Sequence, residues 1–90
     1  MDCVKEKDPD AVLDFGFDWE TWLDGDTIAA STWAVPSGIT KDSDLFTAVG
    51  ITAIWLSGGT LYEVYRLVNR ITTAAGRKND RTLVIKMVSK

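Results

Sequence analysis

Apolar residues recur at every second position in two stretches near the end of the chain. In 65–73, Tyr65, Leu67 and Ile71 share one side, and in 81–88 Leu83, Ile85 and Met87 do the same, with a Gly-centred polar break between the stretches. A period of two marks a half-buried strand, so the pair predicts a β-hairpin. Upstream, 51–56 is rich in β-branched and aromatic residues, opened by Gly50 and closed by Ser57-Gly58-Gly59, and reads as another strand. In 27–35, Ile28, Ser31, Trp33 and Val35 break strict alternation once, as a β-bulge would. Asp8-Pro9-Asp10 is a turn signal ahead of a first strand over 11–17, where Gly16 predicts a bulge or bend. Two short pieces, 39–41 and 45–48, flank an expected turn at Asp42-Ser43-Asp44.

One segment departs from the two-residue period. Asp18 can cap a short helical turn, and Trp19 stands three and four residues before Trp22 and Leu23, so these side chains can meet and plug one end of the core. Seven short strands with polar turns at about ten-residue spacing predict an all-β, immunoglobulin-like β-sandwich with a helical turn near Trp19. Without a pair of cysteines it is not an antibody-type domain.

Ninety residues make one domain, and a domain this small buries a modest share of its surface and is often helped by assembly. We expect a flexible N-terminal arm over 1–10 and a single sandwich over 11–90. No apolar run approaches the roughly 18 residues of a membrane helix, and the start lacks the apolar core of a signal peptide, so a soluble chain that is not exported is expected. The lone Cys3 cannot form an internal disulfide and is expected to be a bland residue in a loose terminus. With no histidine in the chain, ordinary structural zinc sites and His-based acid/base catalysis are excluded.

Net charge is -3, but its distribution is uneven: residues 1–45 hold eleven acids against three lysines, a net of -8, and residues 46–90 hold seven bases against two acids, a net of +5. Such separation can support head-to-tail contacts between copies. The other reading is that the halves interleave in the fold and neutralise each other. An acidic chain also disfavours nucleic-acid binding, which draws its affinity from basic patches.

Chemistry is thin. Asp24-Gly25-Asp26 and Asp42-Ser43-Asp44 have acids at calcium-loop spacing, but neither continues to a Glu at the twelfth position. Asp18 and Glu20 could form a carboxylate pair, though nothing in the sequence fixes the separation that glycoside hydrolysis needs. Ser57-Gly58-Gly59 is neither a nucleophile elbow, a P-loop nor a dinucleotide fingerprint, and reads as a turn. No catalytic residue, cofactor or metal ligand is expected. Four tryptophans in ninety residues point to large buried or interfacial area. Trp19, Trp22 and Trp33 fit the core, whereas Trp55 faces outward if Ile54 and Leu56 face inward; it packs either under a loop or against another subunit. Arg66 and Arg70 also face outward, with Val68 between them. Trp55, Tyr62, Arg66, Arg70 and Lys86 are the candidate interface residues.

Lys7-Asp8-Pro9-Asp10-Ala11-Val12-Leu13-Asp14, Asp18-Trp19 with Trp22-Leu23, Asp26-Thr27-Ile28 with Ser31-Thr32-Trp33, Trp55-Leu56-Ser57-Gly58-Gly59-Thr60, and Tyr65 through Asn69-Arg70-Ile71-Thr72-Thr73-Ala74 to Gly76-Arg77 with Asp80-Arg81 occur in this order. Together they resemble a family of small tailed-phage virion proteins, the phage fiber-tail adaptor family, over residues 7–88. One departure is Leu61-Tyr62-Glu63, where relatives tend to carry small residues after Gly-Gly-Thr. The resemblance implies an immunoglobulin-like, non-enzymatic structural protein of the virion, synthesised in the bacterial host cytoplasm. It implies binding to tail, fiber or connector components and to further copies, as a homo-oligomer, with no nucleic acid and no membrane as partner. The alternatives are a capsid-decorating virion protein and a carbohydrate-binding β-sandwich using Trp55 and Tyr62.

Overall fold

The alternating segments become strands. In the computed structural model, which describes residues 2–89, the order is β1 (Asp2–Lys7), β2 (Leu13–Asp18), α1 (Glu20–Leu23), β3 (Ile28–Ala34), β4 (Ile39–Phe46), β5 (Ile51–Gly58), β6 (Val64–Thr73) and β7 (Lys78–Met87). A first sheet, β1-β7-β6-β3, packs on a second, β2-β5-β4. Every pairing is antiparallel except β1 with β7. The second, fifth and fourth strands facing the third, sixth and seventh is the immunoglobulin arrangement, here with the first strand attached to the last.

Period two fills the space between the sheets. Leu67 and Ile71 of β6, Leu83, Ile85 and Met87 of β7, and Ile54 and Leu56 of β5 are all buried. Trp33 on β3, the strand on which immunoglobulin domains bury a tryptophan, stacks on Phe17 of β2 with ring centroids 5.8 Å apart. This aromatic contact bridges the two sheets. At the start of β6 the Tyr65 hydroxyl accepts a hydrogen bond from the Thr60 N–H at 3.0 Å, the corner contact of this fold class.

The helical turn plugs one end, as its spacing predicts. Trp19, Leu23, Ile28 and Ile71 form a second apolar cluster, and the Trp19 and Trp22 rings meet edge to face at 5.5 Å. Asp18 Oδ1 accepts the Glu20 N–H at 2.9 Å, so this acid tethers the helix start. Trp22 is only partly buried; Arg77 covers it, its guanidinium carbon 4.0 Å from the ring centroid.

Several expectations are corrected. Residues 2–7 do not form a free arm: they pair in unbroken parallel register with β7, from Asp2 opposite Thr82 to Lys7 opposite Met87, while Met1 lies outside the described residues. The charged composition hides the reason. Lys7 is fully buried, and its ammonium donates to the carbonyls of Asp8 at 3.0 Å and Gly58 at 2.8 Å. Burial pushes the Lys7 pKa below its ordinary value, with Asp8, Asp10 and Asp42 opposing. Cys3, correspondingly, is not in a loose end but packs against the main core cluster.

Asp42-Ser43-Asp44 makes no turn. Residues 39–46 run as one strand whose register shifts between Lys41 and Ser43, so the turn-forming residues sit at a bulge on an edge strand. The bulge expected at Gly16 is also absent, since β2 pairs regularly with β5 from Leu13 to Asp18. Glycine is needed there because a Cβ would collide with the Thr52 carbonyl oxygen. The predicted bulge in β3 is present, between Ile28 and Ala30.

The two charge halves interleave. β1, β2, β3 and β4, from the acidic half, occupy all four sheet edges, and β5, β6 and β7 fill the interiors. The separation of charge along the chain therefore does not become two poles of the molecule.

Candidate interaction surfaces

With alternate side chains committed to the core, the others form two outer faces, one per sheet. On β5 the pattern buries Thr52, Ile54 and Leu56 and turns Ile51, Ala53, Trp55 and Ser57 outward. Register adds neighbours on the same side: Asp14 and Ser43 lie opposite Trp55, Gly16 and Leu45 opposite Ala53, and Asp18 opposite Ile51. Trp55 is thus a central-strand residue, 39 % exposed. Asp42 joins this side by accepting the Ser57 hydroxyl at 3.0 Å. Lys41, the one cation in these three strands, pairs instead with Asp44 at 3.1 Å, and their register partners Leu56 and Ile54 point inward. The outer face of the second sheet is therefore apolar at its centre and acidic around it.

The outer face of the first sheet is mixed in sign, with cations in excess. β6 turns Val64, Arg66, Val68 and Arg70 outward, and their partners on β7 are Lys86, Val84, Thr82 and Asp80. β1 adds Val4 opposite Val84 and Glu6 opposite Lys86. Val84 faces outward yet is only 5 % exposed, walled in by Arg66 and Val4 on the adjoining strands. Arg70 grips Asp80 with two bonds, Nε to Oδ1 at 2.7 Å and a terminal nitrogen to Oδ2 at 2.9 Å. This guanidinium holds the Asp80 carboxyl below the ordinary aspartate range.

The five candidate interface residues are consequently not gathered at one place. Arg66, Arg70 and Lys86 share the face of the first sheet, Trp55 lies on that of the second, and Tyr62 belongs to neither. Tyr62 is 79 % exposed in the turn between β5 and β6, where the chain crosses between sheets. Its φ of 69° is in the left-handed region, and its N–H donates to the Met87 carbonyl at 3.0 Å. The turn thus holds the backbone while the ring stands in solvent.

Sequence reasoning missed Leu45, Ile51, Val4 and Val64, all more than 40 % exposed. A signal for two of them was present: 51–56 and 64–68 are apolar at both odd and even positions, which a strand with one solvated face does not need. Of the two carboxylates considered for catalysis, Asp18 tethers the Glu20 amide. Among the described residues no three His, Cys, Asp or Glu cluster in a way that could hold a metal ion. No helix among them is long and apolar enough to cross a membrane.

Comparison with known proteins yields one family, described as Podophage GP4 fiber-tail adaptor protein gp77, whose sequence profile matches residues 7–86. No curated protein matches the chain.

Proposed function

Because the chain belongs to the podophage GP4 fiber-tail adaptor family, a family of structural components of the phage tail, we propose that it works without catalysis, as several copies that link tail and fiber components in the virion. The match over residues 7–86 carries this reading, since it spans both sheets and the plug at the end of the core. The molecule supports it further. Its polar side chains cap and brace the fold, as Asn69, Asp18, Lys7 and Arg77 do, and its exposed apolar residues lie on outward strand faces that suit protein contacts. Synthesis in the host cytoplasm followed by incorporation during particle assembly belongs to the same proposal.

Phage propagated with the gene interrupted provides the test. Particles should form with heads and tail hubs but without fibers, and should adsorb poorly to host cells until the protein is supplied in trans. Mutant particles carrying a full set of fibers would contradict the proposal.

A further inference from the structure

Both outer faces carry exposed apolar residues, and their net charges are of opposite sign: Asp14, Asp18 and Asp42 on the second sheet, and on the first Arg66, Arg70 and Lys86 outnumbering Glu6 and Asp80. On the second sheet Leu45 and Ile51 are 51 % and 42 % exposed beside Trp55, with Asp14 and Asp18 on the adjoining edge strand and no lysine or arginine on that face. On the first sheet Val4, on the edge strand β1, and Val64, at the start of β6, are 54 % and 52 % exposed, with Arg66 two residues beyond Val64 on β6, Lys86 opposite Val64 on β7, and Glu6 opposite Lys86 on β1. Exposed apolar residues grouped on one face of a sheet mark a contact surface.

Which surface covers which follows from the charges. Two copies meeting through the same face would set aspartate against aspartate, or one net-positive face against its like, and like charges pressed together are costly. Unlike faces set apolar against apolar and acid against base. The molecule measures 41 × 22 × 20 Å, so a sheet face is large enough to bury the roughly 800 Å² per partner of a stable interface. Resting on the reading of this chain as a multi-copy virion component, we propose that copies stack through unlike faces: the Trp55 face of one covers the Arg66/Lys86 face of the next. Such a contact does not close as a two-fold dimer. It propagates, giving a ring where the rotation closes and a row where it does not.

Two full-length variants test this by sedimentation velocity. Arg66→Glu with Lys86→Glu disables the first-sheet face, and Ile51→Ala with Trp55→Ala disables the second. Wild-type protein should form concentration-dependent species larger than a dimer, and each variant alone should be monomeric. An equimolar mixture should yield 1:1 dimers and nothing larger, because only one intact unlike pair remains. A wild-type monomer persisting at about 1 mM, the affinity scale of weak contacts, would overturn stacking, as would a dimer of either variant alone or a monomeric mixture. Unchanged unfolding midpoints confirm that the variants fold; where one does not, Val64→Asp or Leu45→Asp takes its place. Mass spectrometry of purified particles separates the two claims: its absence from the particle defeats the virion reading, whereas a monomer that is present in the particle defeats only the stacking.

Discussion

Asn69 shows how a single side chain decides the interior. Fully buried on β6, it accepts the Trp19 indole N–H at 3.1 Å and the Thr52 hydroxyl at 2.8 Å, and it donates to Ser31 Oγ at 2.9 Å and to the Thr32 carbonyl at 3.0 Å. One amide thereby joins the end plug, both sheets and the edge strand β3. Replacing it with leucine keeps the volume and adds apolar surface, yet leaves the indole and the hydroxyl without partners, at about 1–3 kcal/mol for each buried group. Asn69→Leu should therefore destabilise the domain as much as Ile71→Ala, for which core truncation costs about 2–5 kcal/mol. A denaturant midpoint equal to that of the wild type would refute this. On the surface, Arg70 and Asp80 make the opposite case, an exposed pair whose effect is local. The Asp80 carboxyl should titrate below the ordinary aspartate value by NMR, and Arg70→Gln should return it there. Because the folded-state pKa is the depressed one, the stabilisation is present above the unfolded pKa and disappears as pH falls through the folded value. An unmoved Asp80 titration in the variant would show that the guanidinium does not govern it.

At the scale of elements, β1 has the largest consequence. It covers the outer edge of β7, brings Cys3 to the main core and ends in buried Lys7. Deleting residues 1–6 should lower the thermal midpoint and promote aggregation, because the bared β7 edge can pair with other chains. A truncated chain that melts with the full-length protein and stays monodisperse would show β1 to be dispensable. This strand was illegible because its residues alternate charge rather than hydrophobicity, and parallel pairing to the last strand is a long-range contact without a local signal. β5, β6 and β7 were legible because each is dominated by apolar residues at one parity, Ile54 and Leu56, Tyr65, Leu67 and Ile71, and Leu83, Ile85 and Met87, and α1 because Trp19 stands at helical spacing from Trp22 and Leu23. β4 was read as two pieces since Asp-Ser-Asp encodes a turn equally well in isolation; only β5 beside it turns those residues into a bulge. The expected and observed totals of seven strands agree because one strand was missed and another was divided.

Taken whole, the molecule places its acidic half at the edges of both sheets and its basic half in their interiors, so the lengthwise charge asymmetry is interleaved, and the character of each outer face comes from which side chains alternate outward. Charge counting along the chain detected the asymmetry but could not foresee that form, since it depends on topology. The candidate residues divided in the same way: their outward orientation could be read from alternation, whereas their distribution over two faces and a turn required the sheet order. Family membership and fold agree on a structural role, and the position in the virion is the point on which the account stands or falls. A cryo-electron microscopic reconstruction of the intact particle tests it most directly. The account predicts several copies of this seven-strand sandwich between the tail and its fibers, touching both; a reconstruction that resolves the tail–fiber junction and finds other proteins there, with this chain elsewhere or absent, would contradict it.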